Sequence, residues 1–187
     1  MPTGIDADAV LNNNSKEIFT ATEYLIKTGH RKIAFINGNP EMSTFKERYL
    51  GFLNAMKKHK MPVYEDLIIS DDYSIEGGYR STEKIFSASI LPDAILPTNN
   101  FMTQGMYNYL KVHNINVPEN ISVVGHGDFD WCSLVDPPLT VLDHRKFEMG
   151  KQATEILFKR LQTNTCNSYQ KVILESKFII RDSVKTF

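Results

Sequence analysis

The chain has 187 residues, of which 42% are hydrophobic, 11% aromatic and 23% charged. This composition indicates a globular protein with a sizeable core, and it excludes collagenous, coiled-coil and disordered chains. The formal net charge is −1, from 21 Lys and Arg residues against 22 Asp and Glu residues, so bulk charge does not favour nucleic-acid binding. The sequence contains no apolar run of about 18 residues, which excludes a membrane span.

The cysteines and the N-terminus indicate the compartment. Cys132 and Cys166 show no CxxC spacing, and two separated cysteines are typical of a reduced protein rather than a disulfide framework. The first six residues lack the charged and apolar regions of a secretory signal. We therefore expect a cytoplasmic protein without a membrane partner.

Short apolar runs alternate with helical patterns along the chain. Alternation of this kind predicts an α/β fold, a parallel doubly wound sheet with flanking helices. The continuous, β-branched character of the runs is typical of strands buried on both faces. The predicted strands cover residues 33–36, 67–69, 94–96, 121–124 and 139–142, and the predicted helices cover residues 15–28, 44–58, 75–88, 101–113 and 145–162.

Local signals set several of the predicted element ends. Gly29 is expected at the C′ position of the first helix, and Ser74 is a predicted N-cap. The sequence from Thr44 to Glu47 fits a capping box. Residues 171–174 and 177–180 predict a terminal strand or hairpin, and the polar stretch 162–170 predicts a loop.

Each predicted strand ends in a polar cluster. Asn, Asp, Ser, Thr or His follows every one of the apolar runs. Such residues also serve as helix caps and turns, which is the alternative for any single cluster. Because the carboxyl ends of parallel strands share one sheet edge, where open α/β sheets bind ligands, the joint pattern predicts a binding site there.

The motifs of several catalytic classes are missing from the sequence. It has no GxGxxG, no GxxxxGK[ST] loop, no GxSxG elbow and no HxxxH or HExxH pair. The Asp71-Asp72 pair follows the second predicted strand rather than the first, which argues against a phosphoacceptor. We therefore expect no catalytic residue, no cofactor and no zinc site. The remaining Arg, Asn, Asp, Tyr and His residues suit hydrogen bonding to a polyhydroxylated ligand.

Seven segments of the chain carry motifs in a specific order and spacing. They are TEYLIKTGHRKIAFI (22–36), ERYLGF (47–52), YSIEGGY (73–79), PDAI with the following Asn pair (92–100), VPENISVVG (117–125), PLTV (138–141) and IIRDS (179–183). These segments resemble motifs of the lactose-repressor (LacI-type) family of bacterial regulators, and the resemblance runs from residue 10 onward. It implies a periplasmic-binding-protein-like lobe of type I.

The resemblance also implies a domain organisation. Residues 1–29 would be an edge and linking helix from the N-terminal lobe, and residues 30–144 the C-terminal effector-binding lobe. Residues 145–162 would form a helix that packs in the N-terminal lobe, followed by terminal strands in residues 163–187. No part resembles the family's DNA-binding domain, so we expect a fragment of the effector-binding core.

The same resemblance implies ligand-binding residues. Arg48 matches an arginine that binds hydroxyl or carboxylate groups of the effector in many family members. The alternative interpretation is that Arg48 is a surface arginine paired with Glu47 or Asp72. Tyr73 matches an aromatic that covers the ligand, against simple packing over the sheet edge. Asn99 matches a hydrogen-bonding position at a strand end. Asn100 replaces the family's Asp, and its alternative role is the N-cap of the next helix.

Three further positions complete the implied site. His144 matches a polar crossover position, with a helix start as its alternative, and Asn14 would face the cleft from the other lobe. The segment 125–128 reads GHGD where the family has GFDD or GYDD, so Gly127 replaces a ligand-binding Asp and Asp128 is the compensating candidate. We expect this loss to favour a phosphorylated or carboxylated ligand, or one with fewer donors.

The implied function is effector binding and dimerisation in a transcription regulator. The partners would be a carbohydrate-like small molecule, a second copy of the chain, and operator DNA only through a DNA-binding domain absent from this chain. The helix 101–113 and residues 129–135 would form the dimer interface, although Met102 and Met106 suit the core better. A transport-type periplasmic sugar-binding protein and a nucleotide-dependent α/β enzyme are the alternatives.

Overall fold

The computed structural model describes residues 7–163 and 169–187, so the N-terminal hexapeptide, Cys166 and the centre of the predicted loop lie outside the described residues. The strands are β1 (Ala9–Asn12), β2 (Ile33–Asn37), β3 (Ile68–Ser70), β4 (Ala94–Pro97), β5 (Ser122–His126), β6 (Thr140–Asp143), β7 (Lys171–Leu174) and β8 (Lys177–Ile179). The helices are α1 (Asn14–Lys27), α2 (Ser43–Lys58), α3 (Ile75–Phe86), α4 (Asn100–Val112), α5 (Asp130–Leu134) and α6 (Lys146–Thr163), and a 3-10 turn, Glu65–Leu67, precedes β3.

The larger sheet has six strands in the order β3-β2-β4-β5-β6-β8. Strands β2 to β6 pair in parallel, and β8 runs antiparallel to β6. This confirms the predicted doubly wound α/β fold, with one antiparallel edge strand added. The strand order reverses between β2 and β4, and this reversal marks the crevice where doubly wound sheets bind ligands.

A smaller, two-stranded parallel sheet joins the two ends of the described chain. Strand β1 pairs with β7, from Ala9 opposite Lys171 to Asn12 opposite Leu174. Helix α6 lies against this sheet, and Arg160 donates to the Asp8 carboxylate from Nη2 at 2.6 Å. Strands form in residues 171–174 and 177–179, as the prediction of a terminal strand requires, but the hairpin alternative is wrong because the two strands belong to different sheets.

Helices cover both faces of the larger sheet. Helices α1 and α2 pack together on one face, where Ile18 and Leu25 join Phe35 and Phe52 in a buried cluster. Helices α3 and α4 pack on the other face, and Met102 is fully buried there. Met106 is also fully buried, which confirms the core interpretation of both methionines.

Two of the predicted helix ends, at Ser74 and at Gly29, are confirmed. Ser74 Oγ accepts from the Gly77 backbone N at 2.8 Å, and Gly29 has the positive φ of +105° that a C′ glycine adopts. The predicted capping box is wrong, because α2 begins at Ser43 and places Thr44 inside the helix. Its N-cap is Met42, whose side chain makes no capping hydrogen bond.

Helix α6 leaves an apolar face exposed to solvent. The exposed side chains on it are Phe147, Leu157, Phe158 and Leu161. Packing of this helix within another lobe, and the domain boundaries that go with it, stay predictions. None of the described helices has the length and apolar character needed to cross a membrane.

Candidate functional site

The two-stranded sheet and α6 together form a smaller layer beside the larger sheet. A pocket of about 210 Å³ lies where the carboxyl ends of the larger sheet meet this smaller layer. One side comes from α2 and from the ends of β4 and β5; the other comes from β1 and α6. The lining residues are Asn12, Arg48, Asn99, Asn100, His126, Gly127, Phe129, His144, Lys146 and Met149. The structure therefore forms a cleft at the edge that the polar strand ends predicted.

Arg48 is the buried cation of this pocket. It lies within α2, is 7% exposed, and donates from Nη1 to the Thr98 carbonyl at 2.8 Å. Its Nε has no hydrogen-bond partner among the described residues, although it is buried. Burial lowers the pKa of Arg48 to about 10, so the guanidinium stays charged at neutral pH. A charged, incompletely paired donor is suited to an anionic or oxygen-rich ligand.

Buried hydrogen bonds fix the strand ends beneath Arg48. Asn37 at the end of β2 donates to the Phe45 carbonyl at 3.3 Å, and Thr98 after β4 donates to Asn37 Oδ1 at 3.1 Å. These bonds join β2, β4 and α2 at the point where the strand order reverses. Arg48 is therefore positioned by buried hydrogen bonds that join two strand ends and α2.

Asn99 both caps a helix and lines the pocket. Its Oδ1 accepts from the Phe101 backbone N at 2.8 Å, which makes Asn99 the N-cap of α4. The cap predicted at Asn100 is therefore wrong by one residue, since Asn100 is the first helical residue. The cap occupies the amide oxygen of Asn99, so its amide nitrogen is the group available to a ligand.

Two histidines meet at the inner end of the pocket. His126 ends β5 and His144 follows β6, and His144 Nε2 lies 3.2 Å from the His126 ring nitrogens. Asn12 Nδ2 lies 2.6 Å from His144 Nδ1. The Glu17 carboxylate of α1 lies behind them, with Oε2 3.7 Å from His144 Nε2.

Burial controls the charge of this cluster. Burial, with the positive charge of Arg48 added, lowers the pKa of His144 to about 4 and that of His126 well below its usual value. Both imidazoles are therefore neutral at neutral pH. Burial also raises the pKa of Glu17, although a hydrogen bond from Ser176 opposes that shift.

The structure brings some of the sequence-predicted residues together and separates the others. Arg48, Asn99 and His144 line the same pocket. Tyr73 is 52% exposed and its ring lies 6.0 Å from that of Phe45, outside the lining. Asn14 donates to Glu47 Oε2 at 2.9 Å and does not line the pocket either. Their ligand-binding roles stay predictions.

Asp128 is engaged by an arginine rather than by the pocket. Arg181 donates from Nη1 and Nη2 to the two Asp128 carboxylate oxygens at 3.0 Å and 2.9 Å. This pair ties the loop after β5 to the terminal segment. Gly127, where the family pattern has Asp, lines the pocket with backbone only and has a φ of +84°.

Sequence reasoning did not select several residues of the site. His126 was visible as a departure from the family's aromatic residue in the GHGD segment. Helical spacing indicates that Glu17 is buried, because it lies on the same face of α1 as Ala21 and Leu25, which are fully buried. Asn12 and Lys146 carried no comparable signal, since only the tertiary fold brings the smaller layer to this edge.

A larger groove of about 620 Å³ lies elsewhere. Its lining includes Lys111, Asn114 and Glu119, which belong to the end of α4 and the segment before β5. It therefore opens at the amino edge of the sheet, away from the strand carboxyl ends. The smaller pocket is the better candidate site, because it combines the strand-order reversal with buried, unpaired polar atoms.

The fold and this cleft define a ligand-binding lobe, and the chain belongs to the periplasmic binding protein-like domain family, whose model matches residues 22–184. It is 31% identical over 186 residues to the HTH-type transcriptional repressor PurR of Vibrio parahaemolyticus, covering 98% of this chain and 55% of that protein. It is 29% identical over 182 residues to the ribose operon repressor of Haemophilus influenzae, covering 97% of this chain and 54% of that protein.

The structure of the transcriptional regulator CelR in complex with cellobiose is similar in fold. The two chains share 26% identity with a TM-score of 0.88, over 97% of this chain and 56% of that one. The chain thus spans about half the length of the curated relatives that it matches. These matches confirm the predicted resemblance to LacI-type regulators, and the relatives are named as repressors rather than enzymes.

Proposed function

We propose that this chain is the effector-binding domain of a LacI-type transcription regulator and that it binds a sugar or sugar derivative without catalysing a reaction. The observation that carries this proposal is the convergence of Arg48, Asn99 and His144 on one pocket at the reversal of strand order. The unpaired Nε of Arg48 supports it, because a buried donor of this kind is stabilised by a ligand acceptor.

The charge of the pocket favours an anionic sugar derivative. Arg48 and Lys146 are cationic, and the described lining contains no carboxylate. Lys146 Nζ lies 3.7 Å from the centroid of the Phe129 ring, so the aromatic ring and the lysine cation are neighbours in the pocket. An aromatic face covers the C–H surface of a sugar, while the cations pair with a phosphate or carboxylate.

The position of the pocket suggests how an effector acts. Its walls come from the two layers, so a ligand that contacts both favours the arrangement in which they are close. In a complete regulator this shift would change the affinity of a dimer for operator DNA. DNA binding would require a domain other than the one described.

We also propose a homodimer. Phe101 at the start of α4 is 48% exposed and Leu134 at the end of α5 is 82% exposed. These apolar side chains lie in the two regions for which the family resemblance implies an interface, and exposed apolar side chains are typical of such surfaces.

Isothermal titration calorimetry tests the effector proposal directly. The chain is titrated with ribose, cellobiose, ribose 5-phosphate and inorganic phosphate in the presence of a chelator. We expect heat and 1:1 stoichiometry with the sugar phosphate and weaker binding of the neutral sugars. Tight binding of neutral sugars alone would contradict the proposal that the ligand is an anionic sugar derivative. The absence of binding heat with every one of these compounds would contradict the proposal that the pocket binds a sugar.

A further inference from the structure

Glu17, His126 and His144 come from three different parts of the chain and converge in space. One ligand atom from each lies within 4.8 Å of the others. His144 Nε2 lies 3.2 Å from His126 Nε2, and Glu17 Oε2 lies 3.7 Å from His144 Nε2 and 4.0 Å from His126 Nε2. Ligands around a tetrahedral Zn²⁺, with bonds of about 2.0–2.1 Å, lie about 3.4 Å apart. Small side-chain rotations would bring these three atoms to that spacing.

The Glu17 carboxylate has an unsatisfied oxygen. Glu17 is 4% exposed, and its Oε2 has no hydrogen-bond partner among the described residues, whereas Oε1 accepts from Ser176 Oγ. The separations from the two imidazoles exceed hydrogen-bond length. A buried carboxylate oxygen normally has a partner, so this one indicates a missing cation or donor.

We propose that Glu17, His126 and His144 bind a divalent transition-metal ion, and that Zn²⁺ is the ion that fits them best. Two neutral imidazoles and one carboxylate form a donor set typical of zinc sites, whereas Mg²⁺ prefers oxygen ligands alone. His126 and His144 also line the pocket, so a bound ion would keep a position for water or an effector oxygen.

Asn12 supplies an outer contact of the kind that metal-binding histidines need. Its Nδ2 lies 2.6 Å from His144 Nδ1, and its Oδ1 has no partner among the described residues. Turning the amide over lets Oδ1 accept the Nδ1–H of His144. The lone pair of His144 then lies on Nε2, the atom that faces Glu17 and His126.

Two nearby cations are expected to weaken the binding of a metal ion. Arg48 lies in electrostatic range of both histidines, and Lys146 in range of His144. Glu17 is the carboxylate that offsets them in the cluster. Removing Lys146 should therefore strengthen metal binding, a direction opposite to the effect of removing a ligand. These opposite effects of the two kinds of variant distinguish metal binding at the cluster from nonspecific metal binding at the surface.

Calorimetric titration with ZnCl₂ on the full chain tests the site. We expect one ion per chain, at least tenfold weaker binding for Glu17→Gln, His126→Gln and His144→Gln, severalfold tighter binding for Lys146→Gln, and excess Mg²⁺ without effect. His59→Gln is the matched control, since His59 bonds to Glu23 outside the pocket and should bind as the unaltered chain does. Circular dichroism and thermal unfolding check that each variant folds.

Cobalt spectroscopy gives a second readout that does not depend on variant stability. Co²⁺ bound by the unaltered chain should show tetrahedral d–d absorption without a sulfur charge-transfer band. The proposal would be overturned if both histidine variants lost less than twofold in affinity for Zn²⁺. It would also be overturned if the Co²⁺ spectrum showed a sulfur charge-transfer band, or if the unaltered chain bound no Zn²⁺. Because the sugar titrations contain a chelator, this failure is separate from failure of the effector proposal.

Discussion

Arg48 combines a structural contact with a proposed ligand-binding role. One guanidinium nitrogen donates to the Thr98 carbonyl, and another is buried with no hydrogen-bond partner in the part of the chain that the structure describes. Its sequence motif predicted the ligand role, and the fold explains the geometry, since α2 carries Arg48 to the strand-order reversal. The roles of His126 and Glu17 could not be predicted in this way, because their meeting depends on the packing of α1 against β5 and β6.

Arg48→Lys should weaken effector binding. Lysine keeps the charge but loses the planar fork, and hydrogen bonds to charged groups contribute about 1.5–3 kcal/mol, so we expect roughly a tenfold to hundredfold loss of affinity. Calorimetry with ribose 5-phosphate measures it. The control is Arg80→Lys, because Arg80 bonds to Asp71 and Asp72 on the surface. Equal affinities for the two variants would contradict the role of Arg48.

Asp128→Asn separates anchoring from ligand binding. Asp128 accepts both hydrogen bonds from Arg181, so we expect a stability loss of about 1 kcal/mol and a change in effector affinity of less than about twofold. Urea unfolding and calorimetry measure the two quantities. A large loss of affinity at unchanged stability would instead assign Asp128 to the ligand, as the family resemblance implies.

Glu23 should make stability pH-dependent. Hydrogen bonds from Lys27, Lys58 and His59 lower its pKa from 4.5 to about 2. A carboxylate whose folded pKa is lowered stabilises the fold fully above pH 4.5, and this contribution is lost as the pH falls toward 2.

The test compares Glu23→Gln with the unaltered chain by urea unfolding at several pH values. Because water screens these partly exposed partners, we expect a difference of about 1 kcal/mol above pH 4.5 that vanishes near pH 2. Glu155→Gln is the control, since its partner Lys151 lies 4.0 Å away. A difference that is constant with pH would show that the Glu23 charge is not responsible.

At the scale of elements, the sequence predicted the buried strands and the central helices well. Strands such as β2 and β5 are buried along their whole length, so their apolar runs mark them directly. The capping box failed because Thr44 and Glu47 have the right spacing for a cap, while the observed N-cap, Met42, lies two residues before Thr44. The strands of residues 171–180 were predicted, but the hairpin alternative failed because β7 pairs with β1, a distant segment that no local pattern indicates.

Two phenylalanines on different helices should differ in their contribution to stability. Phe52 of α2 is 1% exposed and stacks on Phe35 with ring centroids 4.6 Å apart, whereas Phe147 of α6 is 85% exposed. We expect Phe52→Ala to cost about 3–5 kcal/mol and Phe147→Ala less than about 0.5 kcal/mol in urea unfolding. A large cost at Phe147 would show that its face is covered in solution.

At the scale of the whole molecule, the two sheets explain why the site lies where it does. The carboxyl edge of the larger sheet supplies Asn99 and His126, and the adjoining helix α2 supplies Arg48. The smaller layer closes the cleft with Asn12 and Lys146. Of the first group, the polar end of β4 predicted Asn99 and the family motif implied Arg48, whereas His126 was not among the predicted residues. The second group depends on chain segments near both ends meeting in space, so the sequence order alone did not reveal it.

Self-association should depend on the exposed apolar side chains near α4 and α5. We expect sedimentation velocity to show a concentration-dependent dimer, and the double variant Phe101→Glu, Leu134→Glu to be monomeric with unchanged thermal unfolding. Phe101 is about half exposed and Leu134 is largely exposed, and neither belongs to the buried core, so we expect the substitutions to leave the core intact. A concentration-independent monomer of the unaltered chain would contradict the dimer.

The most direct test of the account is a backbone NMR titration of the chain with ribose 5-phosphate. If the cleft at the strand-order reversal is the effector site, the largest shift changes will fall on the amides of Arg48, Asn99, Gly127 and His144. Shift changes confined to the groove around Asn114 and Glu119, at the opposite edge of the sheet, would contradict it.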